Sequence, residues 1–357
     1  MKMRAARMHG YNEDLRIEEV PVPEISSTEV LVKVAATGMC RSDFQLVDGY
    51  FKEGLPLDFP AIPGHEIAGF VERTGDEVPE AAGLTEGVLV VVDANWGDGT
   101  CRQCNEGNEQ LCTGDGGLVG FGPDGGFADY VAVPYRHAVR VPEGSELEPH
   151  ELAPLADAGI TPYRGLKKLR AAGKLAAGRT VVVNGIGGLG SYGIQYAKLL
   201  SGGAAVVAFA RSDEKLQLAA EHGADHTVNT HDKSTEDIQD ELESATGSRS
   251  VDAFLDCAGA EESTQLGFSI LGAEGALACV GLMGDRIQIP QFPSVSTELS
   301  YFGSFWGNRN DLAEILELAA AGRIKHQITT VKLDDINDNL QALARGDVVG
   351  RQVIVFD

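Results

Sequence analysis

Lysine and long apolar runs are both scarce in this sequence of 357 residues. Only 11 of its 29 basic residues are lysine, against 53 acidic residues, which gives a formal net charge of −24. Such a charge repels nucleic acid and anionic membrane surfaces, so neither is an expected partner. No run reaches about 18 apolar residues, and the N-terminal stretch "MKMRAARMHGYNEDL" lacks the apolar core of a secretion signal. We therefore expect no membrane segment and a cytoplasmic location.

The acidic residues are spread along the whole chain rather than gathered in one tail, as "HDKSTEDIQDELESATG" and "LDDINDN" illustrate. An acidic surface with little lysine resembles that of proteins from salt-loving microbes, whose cytosol screens the self-repulsion. An acidic enzyme from an ordinary mesophile is the alternative.

Six cysteines in a cytoplasmic chain argue against a disulfide framework. Cys257 and Cys279 lie in apolar runs, "VDAFLDCAGA" and "GALACVGL", which is typical of inert core thiols. The other four cysteines need a chemical reason.

The pattern of the chain changes twice and predicts an α/β protein. Short β-rich runs broken by turns, such as "EVLVKVAATG" and "FADYVAVP", indicate a compact β-rich domain over residues 1–155. Strand and helix patterns then alternate over 156–298, which predicts a doubly wound parallel sheet. Residues 299–357, with the amphipathic "DLAEILELAAAGRI" and the strand "GRQVIVF", are too few to fold alone. We expect them to return to the first domain.

A glycine-rich turn follows the apolar strand "RTVVVN" and opens a helix, which is the context of a dinucleotide-binding fingerprint. In such a turn the first glycine permits the tight bend, the second lets the backbone approach a pyrophosphate, and the last allows close packing of helix on strand. The predicted cofactor-binding residues of this turn are Gly185, Gly187, Gly188, Leu189 and Gly190.

The end of the next strand predicts the preferred dinucleotide. An acid there would bind the ribose hydroxyl of NAD, but the position holds Ala210, followed by Arg211 and Ser212. Arginine suits a 2′-phosphate, so we predict that Arg211 and Ser212 bind NADP. Asp213 lies close enough in sequence to leave NAD as an alternative.

Three residues far apart in the chain could together bind a metal ion. Cys40 lies in "GMCRSD", His65 in "PGHEIAG", and Asp157 in the otherwise apolar "LAPLADAGIT". Thiolate, imidazole and carboxylate form a plausible zinc set with one open position. Taken singly, each residue could equally be a core cysteine, a satisfied histidine or a capping acid.

The order of "GMCRSD", "GHEIAGFV", a cysteine-rich lobe, "GIGGLG" and "GRQVI" resembles that of the zinc-dependent medium-chain alcohol dehydrogenases, of the archaeal and bacterial type, over essentially the whole chain. The resemblance implies a GroES-like fold for the β-rich domain. It also implies catalytic zinc bound by Cys40, His65 and Asp157, with Glu66 able to enter the coordination.

The resemblance further implies a structural zinc in a lobe at about residues 95–115. Family members hold this ion with C-x2-C-x2-C-x7-C, and the same spacing here selects Asp98, Cys101, Cys104 and Cys112. A carboxylate oxygen is an accepted zinc ligand, although a hard ligand should weaken the site. A lobe without metal is the alternative. A redox role for the C-x-x-C pair is disfavoured, because no thioredoxin-like strand and helix surround it.

The implied reaction is reversible hydride transfer between an alcohol and NADP(H). Ser42 would accept the proton and Asp43 would orient His65, while by resemblance Arg41 and Arg351 approach the pyrophosphate and Thr161 the nicotinamide.

Gln45 stands where several relatives have the histidine that completes a proton relay, so the proton needs another exit. Trp96, Phe121, Phe305 and Trp306 are candidates for the substrate pocket, which would favour apolar alcohols and ketones.

The main alternative is a polyol or sugar dehydrogenase of the same family. A zinc-free quinone reductase is disfavoured because such relatives lack the cysteine and histidine of the catalytic set. A nucleotide-binding protein without catalysis is disfavoured because that set is intact. The resemblance suggests a homodimer or homotetramer.

Overall fold

The computed structural model describes residues 1–356, and the chain divides into two compact units. The first unit comprises Met1–Ala158 and Asn308–Asp357, and the second comprises Gly159–Gly307. The predicted boundary between 298 and 299 differs from this division, because Ser300–Gly303 forms a strand of the sheet in the second unit. The predicted boundary between 155 and 156 lies three residues before the observed one at Ala158.

The N-terminal part of the first unit is rich in strands, as the turn-punctuated pattern predicts. Its strands are β1 (Lys2–Arg7), β2 (Arg16–Pro21), β3 (Glu29–Met39), β4 (Glu66–Thr74), β5 (Leu89–Val92), β6 (Asn95–Trp96), β7 (Gly117–Leu118), β8 (Tyr130–Pro134) and β9 (Ala138–Arg140). Its helices are α1 (Arg41–Val47), α2 (Arg102–Asn105) and α3 (Pro149–Leu152), with 3₁₀ turns at Glu80–Ala82, Glu109–Leu111, Tyr135–His137 and Ala153–Ala156.

The second unit alternates helix and strand. Its helices are α4 (Ile160–Ala171), α5 (Gly188–Leu200), α6 (Asp213–Glu221), α7 (Thr235–Thr246), α8 (Glu261–Ile270) and α9 (Gln291–Ser296). Its strands are β10 (Thr180–Asn184), β11 (Ala205–Ala210), β12 (His226–Asn229), β13 (Val251–Asp256), β14 (Leu271–Cys279) and β15 (Ser300–Gly303).

Within the described residues these strands form one parallel sheet in the order β12-β11-β10-β13-β14-β15. The central strands are nearly continuous apolar runs because both faces of a parallel sheet are covered. Val182, Val207 and Phe254 are fully buried in its core. The structure therefore confirms the expected doubly wound α/β fold class.

The C-terminal segment returns to the first unit, where it contributes α10 (Arg309–Ala320), β16 (Ile328–Val331), α11 (Ile336–Arg345) and β17 (Arg351–Val355), with a 3₁₀ turn at Leu333–Asp335. The main sheet of this unit runs β16-β17-β3-β4-β5-β9, and β8 also pairs with β3. Strand β17 thus lies beside β3, which in turn lies beside β4. Among residues 1–356, none of the helices has both the length and the apolarity needed to span a membrane.

Candidate active site and metal centres

Cys40, His65 and Asp157 converge in the first unit, although 117 positions separate the first from the last. Cys40 follows β3 and immediately precedes α1, and His65 is the residue before β4. Asp157 follows the 3₁₀ turn Ala153–Ala156, which packs against β3 and β4. Because β3 and β4 are antiparallel neighbours, the end of one strand meets the beginning of the next.

The three side chains are close enough to share one metal ion. Their ligand atoms all lie within 4.8 Å of one another. The Cys40 thiol donates to Oδ2 of Asp157 over 3.0 Å, and Nε2 of His65 lies 3.3 Å from the same oxygen. All three residues are buried. Burying a carboxylate beside a thiol is costly unless a cation or a proton compensates, and sulfur, nitrogen and oxygen at this spacing fit zinc.

Asp43 fixes the orientation of His65. Oδ1 of Asp43 lies 3.1 Å from Nδ1 of His65, while its Oδ2 accepts from the backbone N–H of Cys40 over 2.8 Å. With Nδ1 occupied in this way, Nε2 faces Cys40 and Asp157, as metal ligation requires. Burial lowers the pKa of His65, but the charge of Asp43 and the bond to Asp157 outweigh it and hold that pKa well above its usual value.

The acid and the thiol of the cluster have pKa values shifted in opposite directions. Burial raises the pKa of Asp157, but the hydrogen bond and charge of His65 outweigh it and lower that pKa to about 2. Burial and the charge of Asp157 raise the pKa of Cys40. The carboxylate of Asp157 is therefore the anionic member of the protein cluster.

Two further residues predicted for the site lie in the first turn of α1. The Ser42 hydroxyl lies 3.4 Å from Nε2 of His65, so it faces the cluster. Nη1 of Arg41 reaches the carbonyl of Leu343 in α11 over 3.5 Å. The predicted contact of Arg41 with a pyrophosphate stays a prediction, as does the use of another proton exit in place of Gln45.

Glu66 and Arg351 form a buried ion pair next to the cluster. Nη2 of Arg351 donates to Oε2 of Glu66, and the N–H of Ala158 donates to Oε1 over 3.0 Å. Burial raises the pKa of Glu66 to about 7, against the opposing charge of Arg351. The structure thus gives both residues a protein partner. Ligation of metal by Glu66 and contact of Arg351 with a pyrophosphate stay predictions.

The second group of possible metal ligands is the lobe. The ligand atoms of Asp98, Cys101, Cys104 and Cys112 lie within 4.8 Å of one another. The sulfur of Cys101 is 3.5 Å from that of Cys104 and 3.8 Å from that of Cys112. Three thiols and one carboxylate in this arrangement fit a four-coordinate structural zinc.

Asp98 also shapes its own loop. Its Oδ1 accepts from the N–H groups of Thr100 and Cys101 over 2.8 and 3.1 Å, and its Oδ2 accepts from the Thr100 hydroxyl over 2.9 Å. These bonds lower the pKa of Asp98, so the carboxylate is anionic. Backbone bonds from Thr113 and Cys104 lower the pKa of Cys101 to about 6, which favours the thiolate that binds metal.

A buried histidine and a buried acid lie beside the lobe, and no local sequence pattern identifies either of them. Nδ1 of His137 lies 3.3 Å from Oδ2 of Asp93, and its Nε2 lies 3.3 Å from the carbonyl of Gly97. Trp96 packs its ring on His137 and donates Nε1–H to the carbonyl of Asp93. Trp96 therefore packs against the residues next to the lobe, and its predicted contact with substrate stays a prediction.

The glycine-rich turn has the predicted local structure. It joins β10 to α5, which begins at Gly188 after Gly187 as its N-cap. Gly185 has a φ of 86°, which favours glycine, and its N–H donates to the carbonyl of Phe209 in β11. The free N–H groups and positive end of α5 fit a pyrophosphate. Thr161 is buried in α4 of the same unit, and its contact with a nicotinamide stays a prediction.

The residues after β11 are exposed. Arg211 follows the strand, and Ser212 is the N-cap of α6. The carboxylate of Asp213 accepts from Nδ2 of Asn229 over 2.7 Å, at the end of the neighbouring strand β12. Asp213 thus has one protein partner, and the binding of a ribose or its phosphate by Arg211 and Ser212 stays a prediction.

An aromatic group lies against the cluster of Cys40, His65 and Asp157. The ring of Phe121, which is 5% exposed, has its centroid 5.2 Å from that of His65. Phe51 packs edge-on against Phe121 at 5.7 Å, and Tyr50 against Phe51 at 5.0 Å. Phe121 was predicted for the pocket, whereas Phe51 was not singled out.

The remaining pocket candidates belong to the other unit. Phe305 and Trp306 pack on each other with ring centroids 4.9 Å apart, and both lie within Gly159–Gly307. Their predicted contact with substrate stays a prediction.

Comparison with known families identifies the class of protein. Residues 26–143 match the model of the alcohol dehydrogenase GroES-like domain, and residues 188–321 match that of the zinc-binding dehydrogenases. The chain therefore belongs to the zinc-dependent medium-chain alcohol dehydrogenase family, as the sequence resemblance implied.

Particular relatives within this family span the whole chain. An NAD-dependent alcohol dehydrogenase of Sulfurisphaera tokodaii is 35% identical over 361 residues, covering 99% of this chain and 100% of that protein. A D-arabinose 1-dehydrogenase (NADP(+)) of Saccharolobus solfataricus is 37% identical over 356 residues, covering 99% of this chain and 98% of that protein. The crystal structure of the alcohol dehydrogenase from Aeropyrum pernix has a TM-score of 0.90 at 36% identity, covering 99% of this chain and 100% of that chain.

Proposed function

We propose that this protein is a zinc-dependent alcohol dehydrogenase that prefers NADP(H) and interconverts apolar primary or secondary alcohols with aldehydes or ketones. The observation that carries the proposal is the buried cluster of Cys40, His65 and Asp157 beside the aromatic ring of Phe121. The family membership supports the reaction class. Assembly as a homodimer or homotetramer stays a prediction.

Each side chain in and around the cluster has a separate role in the proposed reaction. Zinc held by Cys40, His65 and Asp157 would supply Lewis acidity toward an alcohol oxygen, and the dinucleotide would supply the hydride acceptor. The Ser42 hydroxyl, which can both accept and donate, takes up the alcohol proton. Asp43 keeps Nε2 of His65 directed at the cluster. The rings of Phe121 and Phe51 give that side of the site an apolar surface.

The cofactor preference predicts a specific effect of Arg211→Ala. Removing the guanidinium should raise the KM for NADP by roughly tenfold to a hundredfold, since a hydrogen bond to a charged group contributes about 1.5–3 kcal/mol. The KM for NAD, which has no 2′-phosphate, should change less than about twofold. Steady-state kinetics with both cofactors at saturating alcohol measures the two effects.

Arg170→Ala is a matched control for that substitution. Arg170 is also exposed and lies at the C-terminal end of α4, the helix that leads to the start of β10 at the opposite edge of the sheet. Its loss removes the same charge from the same unit and should leave both KM values unchanged. An unchanged KM for NADP in Arg211→Ala, or a wild-type KM for NAD far below that for NADP, contradicts the proposed preference.

The aromatic group predicts the class of substrate. With 2-propanol, benzyl alcohol, glucose and sorbitol as test substrates, we expect kcat/KM for an apolar alcohol to exceed that for glucose and sorbitol by at least about tenfold. Rings such as Phe51 and Phe121 offer no hydrogen bonds to sugar hydroxyls. A preference for glucose or sorbitol would instead support a sugar or polyol dehydrogenase, which the similarity to the D-arabinose dehydrogenase makes the second candidate.

A further inference from the structure

Asp256 is a fully buried acid that the proposed catalytic steps do not use. It is the last residue of β13 and lies directly across from Asn184, the last residue of β10. Both are therefore at the carboxyl edge of the parallel sheet. Asn184 is the residue immediately before the glycine-rich turn, which begins at Gly185. In open parallel sheets this edge is where ligands bind.

The carboxylate of Asp256 joins three segments that meet at this edge. Its Oδ1 accepts from Nδ2 of Asn184 and from the N–H of Ala258, each over 3.0 Å. Its Oδ2 accepts from the hydroxyl of Ser263, in the first turn of α8, over 2.6 Å. One side chain thus links the end of β10, the turn after β13 and the start of α8.

The main chain extends the same network to the following strand. The carbonyl of Asp256 accepts from the N–H groups of Val280 and Gly281, the two residues after β14, over 3.0 and 3.1 Å. The carbonyl of Ala258 accepts from the N–H of Met283 over 3.2 Å. On the other side, the N–H of Cys257 donates to the carbonyl of Asn184 over 2.9 Å. The turns after β10, β13 and β14 are therefore hydrogen-bonded to one another through the residues around Asp256.

We propose that Asp256 is a positioning residue for the dinucleotide, because its carboxylate fixes the turn after β13 against the glycine-rich turn. The inference rests on the proposed dinucleotide-dependent function. A buried carboxylate that accepts three hydrogen bonds is a rigid anchor. Its loss would remove the acceptor of the Asn184 amide and of the Ala258 N–H, and would leave the Ser263 hydroxyl only the carbonyl of Ala260. The backbone that faces the cofactor would then lose its preset arrangement, and binding would have to restore it.

Titration of NADPH and NADH, followed by their fluorescence, tests this role in the metal-loaded full-length protein. Asp256→Ala should raise the Kd of both dinucleotides by at least about tenfold, equivalent to about 1.4 kcal/mol. Asp256→Asn should stay within about threefold of the wild type. Its amide oxygen can still accept from Asn184 and Ala258, and its amide nitrogen can donate to the Ser263 hydroxyl, which in turn faces the carbonyl of Ala260.

Asp252→Ala is the matched control, because Asp252 plays a similar capping role at the opposite end of β13. Its carboxylate accepts from the N–H of Thr180 over 2.8 Å and pairs with Arg179. This variant should lower thermal stability and leave the Kd values unchanged at a temperature where circular dichroism shows every variant folded.

Two results would overturn the role of Asp256 but leave the proposed function standing. One is a wild-type Kd for both dinucleotides in Asp256→Ala, and the other is an equal rise of Kd in Asp252→Ala. A wild-type protein that binds neither NADPH nor NADH would overturn the proposed function and this inference with it.

Discussion

Cys40→Ala should lower the zinc content from about two ions per chain to about one and reduce kcat/KM for alcohol oxidation by at least about a thousandfold. The thiol is one of three buried donors, and its removal leaves only an imidazole and a carboxylate facing the same point. A thousandfold loss corresponds to about 4 kcal/mol of transition-state stabilisation, which is in the range expected of a Lewis acid. Elemental mass spectrometry of native protein and initial rates measure the two effects.

Two other cysteine substitutions distinguish the possible causes of such a loss. Cys112→Ala removes a ligand of the lobe, so it should also lower the zinc content by about one ion but retain most of the activity below its unfolding temperature. Cys279→Ala removes a thiol whose pKa burial raises to about 12 and which belongs to neither cluster, so the zinc content should stay unchanged.

The affinity for NADPH is a control for the folding of the second unit, because the glycine-rich turn lies in that unit and Cys40 lies in the first. Cys40→Ala should bind NADPH as the wild type does, which would show that the second unit is intact. If Cys40→Ala keeps its full zinc content, the cluster is not the metal site. If it loses zinc but oxidises alcohols at the wild-type rate, the proposed chemistry is wrong.

The sequence predicts metal ligands best where spacing or resemblance constrains them. The lobe ligands are implied by the spacing of the family's structural-zinc motif, which spans only 15 residues of chain, and the structure brings these four side chains together. Cys40, His65 and Asp157 could be joined only through the family resemblance, since no local pattern links side chains so far apart. The strand, turn and helix around Gly185 were predictable because period, turn residue and helix start all agree locally.

Residues whose role depends on tertiary contacts could not be predicted from local sequence patterns. His137 and Asp93 are 44 positions apart, and each looks like an ordinary surface residue until β5 and β9 pair. Asp256 ends an apolar strand and could have been noticed as a buried acid, but its partner Asn184 is 72 positions away. The predicted boundary near 298 differs from the division at Gly307, because "SYFG" is too short a run to predict a strand without its neighbour β14.

Gly38→Ala should lower the unfolding temperature by on the order of 10 °C, since forcing apart a buried ion pair costs about 3 kcal/mol or more. Gly38 in β3 lies directly across from Glu66 in β4 and from Val353 in β17. A methyl group on Gly38 would lie 1.9 Å from Oε2 of Glu66. That carboxylate is held by Arg351 and by the N–H of Ala158, so moving it away from the methyl group would disturb at least one of these bonds.

A control substitution at another glycine and a double-mutant cycle test whether Glu66 causes the lower unfolding temperature of Gly38→Ala. Gly303→Ala also places a methyl group in a strand, but nothing lies within 4 Å of it, so the unfolding temperature should change by less than about 2 °C. In a Glu66→Ala background, Gly38→Ala should cost less than in the wild type, because the carboxylate is gone and only Cβ of residue 66, 2.9 Å from the added methyl group, still obstructs it. An equal cost in both backgrounds would mean that Gly38 is needed for a reason other than room for Glu66. A small cost in the wild type would mean that Glu66 and Arg351 can shift together, and their fixed position beside His65 would then not be a feature of the site.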